Sequence, residues 1–346
     1  MSVPPLLPER HPNQDFFIPD IFDALPFKGD RHTMEHPFFT LSTKPDFRTV
    51  EYHRDGVSIT LTPHATLGLP TMMDKDILLY CGSLLMAEIN KGHIPPRTLR
   101  FSAYDLMVTT NRHTNDVGYR MLDRAFKRLT GALMSTNIQT NGVEERTNFH
   151  ILDASRVIKS SRDGRRMVQL EVTLSNWFYN ALVGKEVLTI NRDYFRLRKT
   201  LERRLYELAR KHCGHQPSWA IGMENLREKC GSQSPLKKFR YQLRQIAATN
   251  HVPDYRLSVG DDDKVVFRNE ESLSGQPELP GLNDLPRLTR QTLQRGRELV
   301  AASRSGWDFN ALHTQFTEQL TSGRFKPGNV NGAFINFLKK KLRERP

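Results

Sequence analysis

One stretch of the chain combines residue types that grip a nucleic acid with a spacing that presents them together. Between Ser234 and Thr249 the apolar residues Leu236, Phe239, Leu243, Ile246 and Ala247 recur at three and four, the period of a helix with one face on a core. The opposite face carries Lys237, Lys238, Arg240, Tyr241, Arg244 and Gln245. Positions 237, 241, 244 and 248 are neighbours down one side. An arginine can hold guanine O6 and N7 with two bonds, a glutamine can pair with adenine, and a lysine meets a phosphate as a point charge. Ser234 and Pro235 read as an N-cap with proline at the first helical position, which leaves backbone N–H groups to face a phosphate. A solvated basic helix face is the plainer alternative for the same residues.

Two further basic groups are weaker cases. A helix expected over about 114–134 has Arg120, Arg124, Lys127 and Arg128 on its outer side. Its inner stripe is Val117, Met121 or Leu122, Ala125, Phe126, Leu129 and Leu133. It could read DNA or face another protein. Arg162, Arg165 and Arg166 gather at the tip of a hairpin, where they could touch phosphate or the minor groove; a soluble loop fits equally well.

Other chemistries lack their residues. No G-x-x-x-x-G-K-[ST] run occurs, since Gly184-Lys185 lacks both the earlier glycine and the following hydroxyl. No His-apolar-His pair is present to bind a metal beside a nicking tyrosine. His212-Cys213-Gly214-His215 with Cys230 fits no familiar zinc spacing, and Cys213 and Cys230 read as core residues. No C-x-x-C is found. The expectation is a protein with no catalytic residues, no metal and no cofactor.

The elements that must hold the basic groups follow from the pattern. Of 346 residues, 51 are Lys or Arg and 38 Asp or Glu, a formal charge of +13. Residues 181–269 hold 18 basic and 10 acidic groups, net +8, so most of the imbalance sits in about a quarter of the chain. Three cysteines cannot make a disulfide framework and point to a reducing compartment. No run approaches ~18 apolar residues, so no membrane span is expected. The first 30 residues lack a basic segment followed by an apolar run, so neither is a secretory signal.

Along the chain, residues 1–46 read as an irregular arm rich in proline and phenylalanine, with Asn13–Phe17 either docking on a partner or covering a core. A hairpin over 49–53 and 57–61 turns at Asp55-Gly56. A helix starts near Asp74 and stops at Gly92. A short strand (98–101), a helix opened by Ser102, the helix 114–134, strands at 135–139 and 148–152, a hairpin (156–159 and 167–174) and a short helix (177–182) follow. The order then repeats: a long helix over 191–212, a short strand (219–221), helices at 223–229 and 236–249, and a hairpin (255–259 and 265–268). Helix, strand, helix, helix, hairpin is the order of a winged helix. The expected fold is α+β: winged-helix domains at 47–183 and 184–269, a linker at 270–286, and a small helical domain at 287–346 ending in Lys339-Lys340-Lys341.

At this point a family comes into view. Met34-Glu35-His36-Pro37-Phe38-Phe39-Thr40-Leu41-Ser42-Thr43-Lys44-Pro45 leading into a hairpin, the 99–111 segment and the stretch 191–210 resemble the replication initiator protein A family of bacterial plasmids. The resemblance spans about residues 30–270. It implies a cytoplasmic, plasmid-associated initiator of two winged helices. Such a protein binds repeated double-stranded origin sites (iterons), helps open an A+T-rich segment, and brings in the host replicative helicase with DnaA. It also implies autorepression and a homodimer inactive for initiation. Separately, the duplicated order suggests two reading helices entering successive major grooves, about 10–10.5 base pairs apart. The less basic first module is then the one expected to dimerise. The main rival is a winged-helix transcriptional regulator with no replication role; a partition or scaffold protein is a second.

Overall fold

Two stretches of the chain repeat one order of elements, and the structure pairs their strands in the same way. The structure is a computed structural model describing residues 26–143, 148–159, 167–270, 290–303 and 330–342, with Leu312, Gln315 and Phe316. In chain order, β1 (Phe27–Asp30) and α1 (Arg31–Glu35) precede the hairpin β2 (Val50–Arg54) and β3 (Val57–Thr62). Then come α2 (Lys75–Asn90), β4 (Thr98–Phe101), α3 (Ala103–Thr109), α4 (Asp116–Gly131), β5 (Leu133–Thr136), β6 (Asn148–Phe149), β7 (Leu152–Lys159), β8 (Met167–Leu174) and α5 (Asn176–Val183). The second stretch is β9 (Val187–Ile190), a 3-10 turn (Arg192–Arg196), α6 (Thr200–His212), β10 (Ser218–Gly222), α7 (Met223–Lys229), α8 (Leu236–Thr249), β11 (Tyr255–Val259) and β12 (Lys264–Asn269).

In the first stretch β4 pairs antiparallel with β8, and β8 with β7, Phe101 lying opposite Leu170 and Val157 opposite the same residue. In the second, β10 pairs with β12 and β12 with β11, Trp219 and Leu257 both lying opposite Phe267. Each short strand thus enters its sheet beside the second strand of the hairpin, with two helices between them in sequence. The first stretch adds a sheet ordered β2-β3-β5-β6. Its hairpin turns through Asp55 and Gly56, both at positive φ (50° and 80°), as a type I′ turn requires.

Local signals set the helix starts. The Ser102 hydroxyl accepts from the Tyr104 and Asp105 amides and opens α3, and the Asn115 side chain accepts from the Gly118 amide at 2.9 Å to open α4. Gly118 is required by close approach, since a Cβ there would stand 1.8 Å from the His113 carbonyl oxygen. Asn250 ends α8 in the left-handed region at φ 46°.

Four expectations need correction. The arm does not extend to residue 46: β1 pairs with β9, Phe27 opposite Ile190, and Phe27, Met34, Phe38 and Phe39 are buried. Phe27 meets Phe195 edge-on at 4.7 Å and Phe38 lies 5.2 Å from Trp177. The phenylalanines read as an arm are core residues; Phe16, Phe17 and Phe22 lie outside the described residues. The helix expected over 191–212 is broken, because Leu197 and Lys199 are extended. Arg203 satisfies the carbonyls released by the break, donating from Nε to Leu197 at 2.8 Å and from Nη2 to Phe195 at 3.4 Å. The apolar spacing survived the break because each side chain reaches the core from its own turn. The strand expected at 135–139 begins earlier, at Leu133, because α4 ends at Gly131.

The fourth correction concerns the module boundary. The chain divides into two units, Met1–Gly275 and Gln276–Pro346. No linker separates 183 from 184: α5 runs through a tight turn at Gly184 and Lys185 (φ 55°) into β9, and one hydrophobic core extends from Phe27 to Phe267. Helix α6 lies in the middle of it, with every residue from Thr200 to Ala209 buried. Its polar side is therefore inside as well. The Glu207 carboxylate meets Lys75 Nζ at 2.9 Å and Arg204 Nη1 at 3.3 Å, and accepts from the Tyr194 hydroxyl at 2.8 Å. Arg203 pairs with Asp76, and the Arg204 guanidinium donates to the carbonyls of Thr33, Met34, Glu35 and Lys229. In the second unit, α9 (Arg290–Ser303) and α10 (Val330–Lys341) are helical, and Leu312, Phe316, Val330, Phe334 and Leu338 form a separate core. Residues 271–289, which hold most of the expected linker, lie outside the described residues.

Replacing Glu207 with Gln leaves two buried cations without a carboxylate, and unfolding in urea should show a loss of about 3–5 kcal/mol. Adding Lys75→Met should recover part of it; a single-variant loss below about 1 kcal/mol would refute a structural role for the pair. Acid should weaken the fold. Burial and the nearby Arg204 and Lys229 hold the His36 and His212 pKa values at about 4, with Glu35 opposing. Both rings are neutral in the fold, while the unfolded chain protonates near 6.5. Unfolding therefore takes up protons between those values, and stability should fall as pH falls through that window. His212→Phe, which keeps the stack on Trp219, should flatten the slope by about one proton.

Candidate nucleic-acid interface

The pair α7–α8 is held at its turn by side chains of α7. Arg227 donates to Glu224 and to the carbonyls of Ser232 and Ser234, at 3.5 Å and 3.3 Å. Gly231 turns the chain at φ 66°, where a Cβ would stand 2.7 Å from Pro37. The helix start lies one residue later than expected: Pro235 occupies the cap position, and no side chain caps the helix. Phe239, Leu243 and Ile246 are buried beneath it.

The outer face of α8 is as the spacing requires. Lys237, Lys238, Tyr241, Arg244 and Gln245 are exposed, Tyr241 by 64%. The side chains of these five make no hydrogen bond or ion pair among the described residues. Arg240 differs. It is half-buried and donates from Nε and Nη2 to Asp263 in the turn between β11 and β12, at 2.9 Å and 2.6 Å. The sequence pattern showed the face on which Arg240 lies but not the hairpin turn that reaches it.

In α4 the structure divides the expected set. Arg120 and Arg124 are exposed and carry no ion pair among the described residues. Lys127 is exposed but pairs with Asp123 at 2.7 Å. Arg128 turns inward and holds Asp74 with two bonds of 2.7 Å, tying α4 to the start of α2. It is therefore removed from the candidate interface. Asp74 also accepts from the Thr71 amide at 2.8 Å, so Arg128 completes a buried polar junction. Val117, expected inside, is 51% exposed, and Met121, one of the two alternatives for the next inner position, is 58% exposed beside Arg120 and Arg124. Leu122, one residue further on, takes the core position. Arg162, Arg165 and Arg166 lie outside the described residues.

The structure adds two residues that the sequence reading missed. Arg256 of β11 and Arg268 of β12 are exposed and lie directly opposite each other. Like charges in such a pair are unfavourable without a counter-charge. Glu270 lies 3.4 Å from Arg256 Nε and supplies part of one. Alternation along both strands could have placed them on the outer face, but only the register makes them partners. Conversely, Arg203 and Arg204 belong to the basic block of the sequence yet are buried and paired, so fewer basic groups reach the surface than the count suggests.

Cys81, Cys213 and Cys230 are buried free thiols, and burial pushes the Cys230 thiol up to about 12. His212 stacks on Trp219 at 4.7 Å. Among the described residues no cluster of His, Cys, Asp and Glu could hold a metal ion. No described helix is long and apolar enough to cross a membrane.

The sequence profile of the family described as Replication initiator protein A matches residues 28–257. A proposed replication protein of Wigglesworthia glossinidia brevipalpis is 35% identical over 246 residues, covering 70% of this chain and 89% of that one. Among solved structures, domains 2 and 3 of RctB superpose with a TM-score of 0.50 at 10% identity, over 68% of this chain and 96% of that one; at this identity the likeness shows the mixed α and β fold alone. With a profile spanning most of the first unit and a relative of this identity, the chain belongs to the replication initiator protein A family.

Proposed function

We propose that the chain starts replication by binding double-stranded origin DNA through two tandem winged helices, without catalysis of its own. The observation that carries the reading is the outer face of α8, with Lys237, Lys238, Tyr241, Arg244 and Gln245 exposed and, among the described residues, unpartnered on the third helix of a helix–strand–helix–helix–hairpin unit. Arg244 and Gln245 are the base readers and the lysines meet phosphate. Arg256 and Arg268, on the hairpin that follows α8 in the chain, add phosphate contacts that relieve their mutual repulsion. The first module contributes Arg120 and Arg124 from α4, at the position equivalent to α8 in the shared order of elements.

In this reading each chain covers two successive major grooves of one repeat, and the modules, which share a core, keep the spacing between their helices fixed. Adjacent chains on direct repeats bend the duplex and favour opening of an A+T-rich segment beside them. Recruitment of the host helicase and DnaA, autorepression and an inactive dimer complete the proposal on the strength of the family. It places the protein in the bacterial cytoplasm on plasmid DNA.

Footprinting on the parent replicon with a salt titration tests the reading. Regular protection of repeats, with affinity falling steeply as salt rises, is expected. Protection of one promoter operator alone would favour a transcriptional regulator, and one short half-site per chain would end the two-groove arrangement. Arg244→Ala should weaken specific binding by about 1–3 kcal/mol and relax one base position while leaving the melting temperature unchanged. Arg128→Ala should do the opposite, lowering the melting temperature while preserving base preference, because it unpairs Asp74.

A further inference from the structure

The contact between Arg240 and Asp263 joins the reading helix to the turn of its own hairpin, and its geometry uses only half of the guanidinium. Nε and one Nη2 proton face the carboxylate, at 2.9 Å and 2.6 Å. The opposite edge, Nη1 with the second Nη2 proton, makes no hydrogen bond among the described residues. Arg240 is a neighbour of Lys237 and Arg244 at helical spacing, and both are exposed. Asp263 is itself held. Its carbonyl accepts from the Met223 amide at 2.8 Å at the start of α7, and the next residue, Lys264, accepts from the Gly260 amide at 2.8 Å. A helix on one side and a doubly tied turn on the other fix both partners.

We propose that Asp263 is a positioning residue, which presents the free edge of Arg240 to a guanine in the major groove. The inference rests on the DNA-reading function proposed for α8. A free arginine binds any phosphate it can reach, but the carboxylate offsets the charge of this one. What remains is a pair of parallel N–H donors in a fixed plane, which matches the two acceptors of guanine, O6 and N7. Adenine offers N7 beside an N6 donor and meets the same edge with a clash of donors. The Asp263 carboxylate also disfavours a phosphate at that corner, so the contact selects a base over the backbone. Because the side chain is already ordered, less rotamer freedom is lost on binding.

The test begins with the purified full chain and a pool of random double-stranded oligonucleotides, from which bound sequences are selected. Each guanine of the selected site is then replaced by 7-deazaguanine, which lacks the N7 acceptor. One guanine should prove sensitive, with a loss of about tenfold. In Asp263→Asn that sensitivity should vanish while preferences elsewhere in the site persist. Asparagine tolerates the left-handed backbone of residue 263 (φ 57°), so the substitution removes charge without strain. Arg240→Lys, which keeps the charge and loses the fork, should act the same way. If Asp263→Asn instead tightens binding to every sequence, poly(dI–dC) included, and keeps the guanine preference, Asp263 merely sequesters Arg240 and the inference fails. It also fails if the sensitive guanine is unaffected by both variants. Recovery of no enriched sequence by the unaltered protein would remove the DNA-reading proposal itself, a result distinct from either.

Discussion

A buried carboxylate on each of two helices organises the first unit. Glu207, on α6, gathers Lys75, Arg204 and Tyr194; Asp76, on α2, takes Arg203 and Arg112. Burying this many charges costs more than any single pair returns, so the arrangement is tolerated only where every group finds a partner. That requirement fixes the path of α6 against α2. Through Arg204 it also fixes the segment from Thr33 to Glu35 and the end of α7. The first module, the amino-terminal segment and the second module are thus held by one polar junction inside one apolar core. Burial lowers the pKa of Lys75 and the Glu207 carboxylate opposes that shift, whereas burial and Glu207 together raise the pKa of Tyr194 and keep its hydroxyl a donor.

The same junction explains why charge along the chain is a poor map of charge on its surface. Arginine is the basic residue best suited to burial, because its planar guanidinium can satisfy several carbonyls at once. Arg203 and Arg204 do this around α6, Arg227 does it at the turn before α8, and Arg128 closes the junction at Asp74. Among the described residues the basic groups that remain outward include Lys237, Lys238 and Arg244 on α8, Arg120 and Arg124 on α4, and Arg256 and Arg268 on the second hairpin. Cations held on rigid elements have the fixed spacing that phosphate contacts use to set register on a regular polyanion.

The two modules use one topology with different surroundings. Both enter the sheet through a short strand beside the second hairpin strand. The first carries an extra four-stranded sheet, and its third helix exposes Val117 and Met121 among arginines. The second carries an acidic turn, Asp261-Asp262-Asp263, from which one carboxylate reaches the helix in front of it. A common scaffold therefore presents two chemically distinct faces.

The amino-acid sequence by itself did not show β1, α1 or β9, but it determined most elements from the first hairpin onward and the face of α8 that is exposed. These depend on interactions within a few residues: the three-and-four spacing of Phe239, Leu243 and Ile246, the caps at Ser102 and Asn115, and the turn at Asp55-Gly56. The tertiary structure decided what each charged or aromatic side chain is for. Arg128 and Arg120 look alike in sequence, yet one meets Asp74, 54 residues away, and the other meets solvent. Phe27 and Phe38 were unreadable as core until β1 paired with β9, and Leu197 continued a helical pattern across a break that Arg203 stabilises. Spacing reports which way a side chain points from its own element. Its partner is set by which other elements pack there, and that is a property of the whole chain.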